Sequence, residues 1–264
     1  MAILFIVLAV AGYSANVHGD EGFYNIAHMT NTPGSVDWAL AKGANGVEID
    51  LTFDKSSGSP HIFRHSAAGE ACDCTCLCPA PLYVLCGTLY PNSVCAKLLD
   101  DVHSISPCRA ESSIPTMLNF LAKKASLALI IIDSKIDSDD IDSSKMKTAG
   151  GMVVTNLITH LFQADYGGKV IISSPKIDTL PYLQAAVTAL QGSQYQARVY
   201  FSIDMEKNNI GGALRELHKL SSRNIVYGTG ISSCSPIQIQ QGTMEVATLN
   251  KARRVIWTNV PLVL

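Results

Sequence analysis

Residues 46–53, GVEIDLTF, alternate between apolar and polar side chains after the first glycine. A period of two is typical of a β-strand, whose side chains point alternately to its two faces. The apolar set beginning with Val47 and Ile49 therefore faces a core. The carboxylates of Glu48 and Asp50 share the opposite face, roughly 7 Å apart at strand spacing.

Short apolar runs and helical patterns alternate along the rest of the chain. The apolar runs predict strands at residues 24–28, 61–65, 127–132, 169–173, 199–203, 224–227 and 254–258. Helices are predicted at residues 36–41, 114–124, 152–162, 180–190 and 210–220. This alternation favours an α/β fold with a parallel sheet, and its length and strand number favour a (β/α)8 TIM-type barrel.

A doubly wound open sheet is the alternative architecture. It would be favoured by a glycine-rich turn after the first strand. Residues 28–33 read HMTNTP and contain no G-x-G-x-x-G pattern, so the barrel is the preferred prediction.

The N-terminus carries a targeting pattern. Residues 1–12 form an apolar run that is too short to span a bilayer, and small residues follow it. We predict a secretory signal at residues 1–19, with Ala15 as a second cleavage option, and one mature, extracellular domain at residues 20–264. A membrane anchor or a buried first helix is the alternative. No other run approaches the roughly 18 apolar residues of a membrane helix, so we expect no stable membrane anchor.

The composition limits the classes of partner. Apolar residues make up 47% of the chain and charged residues 16%, which excludes an intrinsically disordered protein. The formal net charge of −2 provides no broad basic face. We therefore expect no nucleic-acid partner.

The chain has eight cysteines, and seven of them lie in one segment: residues 72, 74, 76, 78, 86, 95 and 108, with the eighth at 234. An even number of cysteines in an exported chain favours disulfides. A zinc cluster is the alternative, but structural zinc sites usually separate their cysteines by two or more residues. Eight cysteines permit about 105 pairings, and the spacing does not choose among them.

Side chains suited to catalysis stand near the ends of several predicted strands. His28 ends the first strand, His65 ends the third, and Asp133 with Lys135 follows the fourth. The active site of a parallel barrel lies where its strands finish. We therefore expect these residues to meet Glu48 and Asp50 at one edge of the sheet.

Together these side chains suit the cleavage of a phosphate ester. Three carboxylates on neighbouring strands suit Mg²⁺, which prefers oxygen ligands. The two histidines would act as general base and general acid, and Lys135 would contact a phosphate oxygen. Alternatively, the carboxylates are solvated residues, and Asp133 with Lys135 is a surface ion pair. The pattern alone predicts a secreted barrel hydrolase or lyase.

Several motifs are more specific when taken in order. They are residues 26–29 (IAHM), residues 43–54 (GANGVEIDLTFD), His65 ahead of the CDC at residues 72–74, residues 131–135 (IIDSK), residues 231–234 (ISSC) and residues 255–258 (VIWT). In order and spacing they resemble the sphingomyelinase D / phospholipase D toxins of spider venom and their tick relatives, and we expect a tick-type member.

The resemblance implies a role for each matching residue. The catalytic histidines are matched by His28 and His65, and the Mg²⁺ ligands by Glu48, Asp50 and Asp133. Residues that bind the substrate are matched by Lys135 and by Trp257, whose ring suits a quaternary ammonium. The cysteine pattern of the family implies disulfides Cys72–Cys78 and Cys74–Cys234, and it leaves Cys76, Cys86, Cys95 and Cys108 unassigned.

The resemblance also implies a reaction at membrane surfaces. A choline or ethanolamine headgroup would leave a sphingolipid or lysophospholipid, largely because the substrate's own hydroxyl attacks phosphorus and forms a cyclic phosphate. We expect His28 to act as the base or the nucleophile and His65 as the acid, although the reverse assignment of acid and base stays open. We expect the protein to be a monomer.

The chain departs from the family pattern in two places. Residues 70–108 form an enlarged, cysteine-rich insertion, and the chain stops at Leu264 where the family continues. We therefore expect a barrel that is incomplete at its C-terminus or closed by a rearranged terminus. A truncated, catalytically impaired homologue that binds lipid or acts as a decoy is the second hypothesis. A glycerophosphodiester phosphodiesterase is disfavoured, because that family reads H-R-G where this chain has His28-Met29-Thr30.

Overall fold

The structure is a computed structural model that describes residues 5–7, 24–28, 30–64, 111–203, 210–221, 226–231 and 253–258. Its strands are β1 (Phe5–Val7), β2 (Asn25–Ala27), β3 (Gly46–Phe53), β4 (Pro60–Phe63), β5 (Ser112–Ser113), β6 (Leu129–Ser134), β7 (Lys169–Ser174), β8 (Val199–Ile203), β9 (Val226–Ile231) and β10 (Arg253–Thr258). Its α-helices are α1 (Pro33–Ala41), α2 (Ile114–Ala122), α3 (Ser143–Leu157), α4 (Leu180–Leu190) and α5 (Ile210–Leu220).

The central sheet is built from parallel strands in the order β2, β3, β6, β7, β8. Helices connect most of these strands, as the alternation in the sequence predicts. Strand β1 pairs antiparallel with β2 at the outer side. Strand β6 reads LIIIDS, a nearly continuous apolar run of the kind found in parallel strands that are buried on both faces.

The strand predicted at residues 61–65 forms at Pro60–Phe63, but it runs antiparallel to β3. The connection from Phe53 to Pro60 is too short for the crossover of a dozen or more residues that a parallel partner needs. A hairpin forms instead, with Gly58 at a φ of 73° in its turn. Strand β5 then pairs antiparallel with β4.

Strands β9 and β10 pair parallel with each other in a second, two-stranded sheet. In the described ranges, no ladder of hydrogen bonds joins this sheet to β8. The α/β class is confirmed, and the strands of the described ranges form an open central sheet. A closed barrel is not shown.

Helix starts follow capping residues. Thr32 caps α1 in a reciprocal capping box with Ser35. The Asp142 carboxylate caps α3 by accepting from the N–H groups of Ser144 and Lys145. Helix α3 thus begins at Ser143, nine residues before the predicted start, and a π-helical turn (Ile158–Phe162) follows it. Within the described ranges, none of the helices has the length and apolar character needed to cross a membrane.

The two faces of the central sheet have different surroundings. One face, with Val47, Ile49 and Ile132 among its side chains, packs under the helices in the main apolar core. The other face begins with a small apolar cluster that includes Ile26 and Ile131. Toward the carboxyl ends of the strands, this second face becomes polar. The candidate site lies there.

Candidate functional site

Three acidic side chains meet at the carboxyl edge of the central sheet. Glu48 and Asp50 lie two positions apart on β3, and Asp133 on β6 is in register with Asp50. Each of the three contributes a carboxylate oxygen, and these oxygens lie within 4.8 Å of one another. Glu48 and Asp50 are buried, at 2% and 0% exposure. We call these three residues the carboxylate cluster.

Lys135 supplies a positive charge to the carboxylate cluster. Its Nζ lies 2.8 Å from Asp50 Oδ1 and also pairs with Asp133 Oδ2. Burial by itself would lower the pKa of the Lys135 ammonium, but the surrounding carboxylates, with Asp133 foremost, raise that pKa above its usual range. Lys135 is therefore charged at any physiological pH.

His28 stands beside the carboxylate cluster at the end of β2. Its Nε2 lies 3.6 Å from Glu48 Oε2, and its side chain keeps 19% of its surface exposed. The ring is therefore partly open to solvent and lies beside a carboxylate, a position that suits a group that exchanges protons.

A buried asparagine completes the surroundings of Asp50. Asn31 Nδ2 donates to Asp50 Oδ2, and Asn31 Oδ1 accepts from Asp50 N, both at 2.7 Å. No pattern in the sequence indicates a role for Asn31. Its position in the loop directly after β2 is the signal that could have pointed to it, because active-site residues of parallel sheets stand in such loops.

The polar face continues across the next two strands. Ser173 on β7 is in register with Ser202 on β8, and Ser173 Oγ lies 3.5 Å from Asp133 Oδ1. Both serines are buried, and Ser202 Oγ has no hydrogen-bond partner among the described residues. Both serines lie in strands that the sequence predicts, but no motif in the sequence indicates a role for either.

The structure thus brings together five of the predicted site residues: His28, Glu48, Asp50, Asp133 and Lys135. Trp257 lies in β10, where it is in register with Gly230 of β9. The side chain of Trp257 lies outside the part of the chain that the structure describes. The same holds for His65, for the insertion at residues 70–108 and for Cys234, so their predicted roles stay predictions.

The donor set of the carboxylate cluster fits a hard divalent cation. Carboxylate oxygens are the ligands that Mg²⁺ and similar ions prefer, and three on adjacent strands give a charge of about −3 when ionised. Lys135 neutralises only part of that charge. Among the described residues, this is the group of acidic, histidine or cysteine side chains whose spacing would suit a metal ion.

Comparisons with known proteins find similarity to one group of toxins. Residues 19–83 match the family model described as dermonecrotic toxin SPH. A dermonecrotic toxin of Loxosceles intermedia is 26% identical over 251 residues, which cover 88% of this chain and 72% of the toxin. Dermonecrotic toxins of Sicarius patagonicus and Sicarius peruensis are 26% and 28% identical, each over 80% of this chain and 69% and 70% of the toxin. The chain is therefore similar in sequence to the dermonecrotic toxins over most of its length, as its motifs predict.

Proposed function

We propose that this chain is a secreted, Mg²⁺-dependent enzyme of the phospholipase D type that releases choline or ethanolamine from a sphingolipid or lysophospholipid. Its second product is a cyclic phosphate. The observation that carries the proposal is the carboxylate cluster at the carboxyl edge of the parallel sheet, with His28 beside it. The similarity to dermonecrotic toxins supports the same function.

In this proposal Glu48, Asp50 and Asp133 hold the metal ion. Their oxygens are close enough to share one cation. Because Glu48 and Asp50 are buried, water can do little to stabilise their negative charges. When bound, Mg²⁺ supplies charge neutralisation for the phosphate and for the transition state.

His28 takes the proton of the attacking hydroxyl in this reaction, because it combines partial exposure with the nearby Glu48 carboxylate. His65 then gives a proton to the leaving headgroup. Arg64, the residue before His65, donates its backbone N–H to Asp50 O at 2.8 Å, so the chain directly before His65 lies beside one member of the carboxylate cluster.

The bonds and protons of the proposed step balance without water. A bond forms between the substrate hydroxyl oxygen and phosphorus, and the bond between phosphorus and the headgroup oxygen breaks. One proton moves from the hydroxyl to one histidine, and the other histidine protonates the headgroup oxygen. Lys135 contacts a phosphate oxygen, and Trp257 is the residue that we assign to the choline ammonium.

Export, barrel closure and disulfides belong to the same proposal. The signal at residues 1–19 is removed, the strands close into a barrel, and disulfides Cys72–Cys78 and Cys74–Cys234 hold the cysteine-rich insertion. The protein acts as a monomer at lipid surfaces without a stable anchor. Peptide mapping of the secreted protein under non-reducing conditions tests the two pairings and the cleavage site together.

Headgroup release tests the proposed function. The purified protein is mixed with vesicles of sphingomyelin, ceramide phosphoethanolamine or lysophosphatidylcholine, and free choline or ethanolamine is measured with Mg²⁺ or with EDTA. We expect release that needs Mg²⁺ and that falls roughly 10²- to 10⁴-fold in His28→Ala, the usual contribution of a general acid or base. His160→Ala in the π-helical turn is the matched control, because His160 lies outside the site, and we expect it to keep full activity.

A folded wild-type protein that releases no headgroup from any of these lipids would contradict the enzyme proposal. Retained vesicle binding in that case would favour the impaired, lipid-binding homologue. An open phosphomonoester in place of the cyclic product would instead favour a phosphodiesterase that uses water.

A further inference from the structure

The side-chain amide of Asn31 makes two hydrogen bonds to one residue, Asp50. Its Nδ2 donates to the Asp50 carboxylate and its Oδ1 accepts from the Asp50 backbone N–H. Asn31 is 4% exposed, so water has little opportunity to replace either bond. Because one planar amide holds both the backbone and the carboxylate of Asp50, it fixes the side-chain torsions between them.

These two bonds decide which oxygen of Asp50 faces Lys135. Oδ2 is bound to Asn31, whereas Oδ1 lies 2.8 Å from Lys135 Nζ. The terminal torsion of an aspartate is broad and roughly two-fold, so the carboxylate would otherwise rotate and exchange its oxygens. Asn31 removes that freedom and keeps Oδ1 available to the cluster.

The loop that carries Asn31 is itself attached to β3. Thr30 donates both its backbone N–H and its hydroxyl to the carbonyl oxygen of Glu48, each at 2.9 Å. Directly after Asn31, the capping box of Thr32 fixes the start of α1. The amide of Asn31 therefore rests on a loop that is held from both sides.

We infer that Asn31 is a positioning residue that sets the orientation of Asp50 for cation binding. The inference rests on the proposed function, because it takes Asp50 as a metal ligand. Partners that orient metal ligands typically change metal affinity by 10- to 100-fold when they are removed. Asn31 acts through Asp50 and is not itself assigned as a ligand.

Mn²⁺ titration followed by electron paramagnetic resonance tests the inference without any turnover. The free ion gives a sharp signal that falls on binding, and Mg²⁺ competition reports the affinity for the proposed ion. The protein expressed from the full chain is compared with Asn31→Ala, Asn31→Ser, Thr30→Val and Asp50→Asn. Circular dichroism and urea unfolding establish that each variant is folded, and Asn31→Ser provides a milder change where Asn31→Ala does not fold.

We expect Asn31→Ala to bind Mn²⁺ about 10- to 100-fold more weakly, and Asn31→Ser to fall between it and wild type. Thr30→Val is the structural reference, because it removes a hydrogen bond to β3 but touches no carboxylate. We expect it to bind Mn²⁺ within about three-fold of wild type. The side-chain amide of Asn156, on α3, donates to a carbonyl of its own helix. Asn156→Ala should therefore bind Mn²⁺ with the affinity of wild type.

Two results would overturn the inference. Wild-type affinity in the Asn31 variants, with binding lost in Asp50→Asn, would remove the role of Asn31 and leave the proposed function standing. Equal losses in Asn31→Ala and Thr30→Val would show that the loop contributes only structure. If the affinities follow our expectation but no headgroup is released, the proposed function fails and the positioning role of Asn31 holds.

Discussion

Asp133 lies directly opposite Asp50 in the parallel register of two adjacent strands, and Lys135 forms an ion pair with each. Registered residues of neighbouring strands point to the same face, so the pleat of the sheet itself brings the two carboxylates together. Glu48 adds a third carboxylate on that face. One ammonium does not balance three carboxylates, so a divalent cation would stabilise the folded chain.

Mg²⁺ should therefore raise the melting temperature. At a Mg²⁺ concentration about 100 times its dissociation constant, linkage predicts about 2.7 kcal/mol of added stability. For a chain of this size that corresponds to roughly 5–10 °C. Differential scanning calorimetry in Mg²⁺ and in EDTA measures the shift. Asp133→Asn should lose most of it, and an equal shift in that variant would mean that the ion binds elsewhere.

Lys135→Met should destabilise the metal-free protein by about 3 kcal/mol. It leaves the fully buried Asp50 without its counter-charge, and the loss lies at the lower end of the range for buried ion pairs because Lys135 is about a third exposed. Added Mg²⁺ should recover part of the loss. Lys176→Met is the matched control, since its pair with Asp137 is exposed and should change stability by at most about 1 kcal/mol. Urea unfolding in EDTA compares the two, and equal losses would contradict the account.

Gly150→Ala should strongly destabilise the fold, whereas Gly151→Ala should not. A Cβ on Gly150 would lie 2.1 Å from the carbonyl oxygen of Tyr182, because α3 and α4 pack closely there. We expect a loss of about 3 kcal/mol, the upper part of the usual range for overpacking. A Cβ on Gly151 meets nothing within 4 Å, so better helix propensity should add up to about 1 kcal/mol. Thermal unfolding measures the stability change in each variant. Changes of the same sign in both variants would refute this packing.

Asp54 should contribute to stability only above acidic pH. Hydrogen bonds from the Ser56 hydroxyl, the Ser57 N–H and the Ser57 hydroxyl lower the pKa of Asp54 to about 2 in the folded state. Because the folded pKa is depressed, the contribution is present above the ordinary value of 3.8 and is lost as the pH falls toward 2. The difference in urea midpoint between wild type and Asp54→Ala should be present at pH 5 and much smaller near pH 2. A constant difference at both values would exclude this role.

The sequence predicts the sheet and the carboxylate cluster well, for a physical reason. The alternation over Gly46–Phe53 and the apolar run at the start of β6 depend on local burial, which hydrophobic periodicity reports directly. Once both strands are parallel neighbours, Asp50 and Asp133 must lie on one edge. That part of the site follows from pattern and topology alone.

The parts that the sequence does not predict depend on contacts between distant segments. The bonds from Asn31 to Asp50 join a loop to a strand, and a loop has no periodicity to indicate its partners. Residues 143–151 of α3 include two serines, a threonine and two glycines, all of modest or poor helix propensity. The packing of α3 against α4 overrides that propensity. The direction of β4 follows from the length of a turn rather than from its apolar residues.

The most direct test of the central claim is ³¹P NMR of the phosphorus product. The purified protein is incubated with choline and ethanolamine sphingolipids and lysolipids in Mg²⁺, with EDTA and Asp50→Asn as controls. The account predicts a cyclic phosphate signal that is absent in EDTA and reduced at least about 100-fold in rate in the variant, since the loss of a ligand should exceed that of an orienting partner. A folded wild-type protein that leaves the lipid phosphorus signals unchanged, or a product that forms equally well in EDTA, would contradict it.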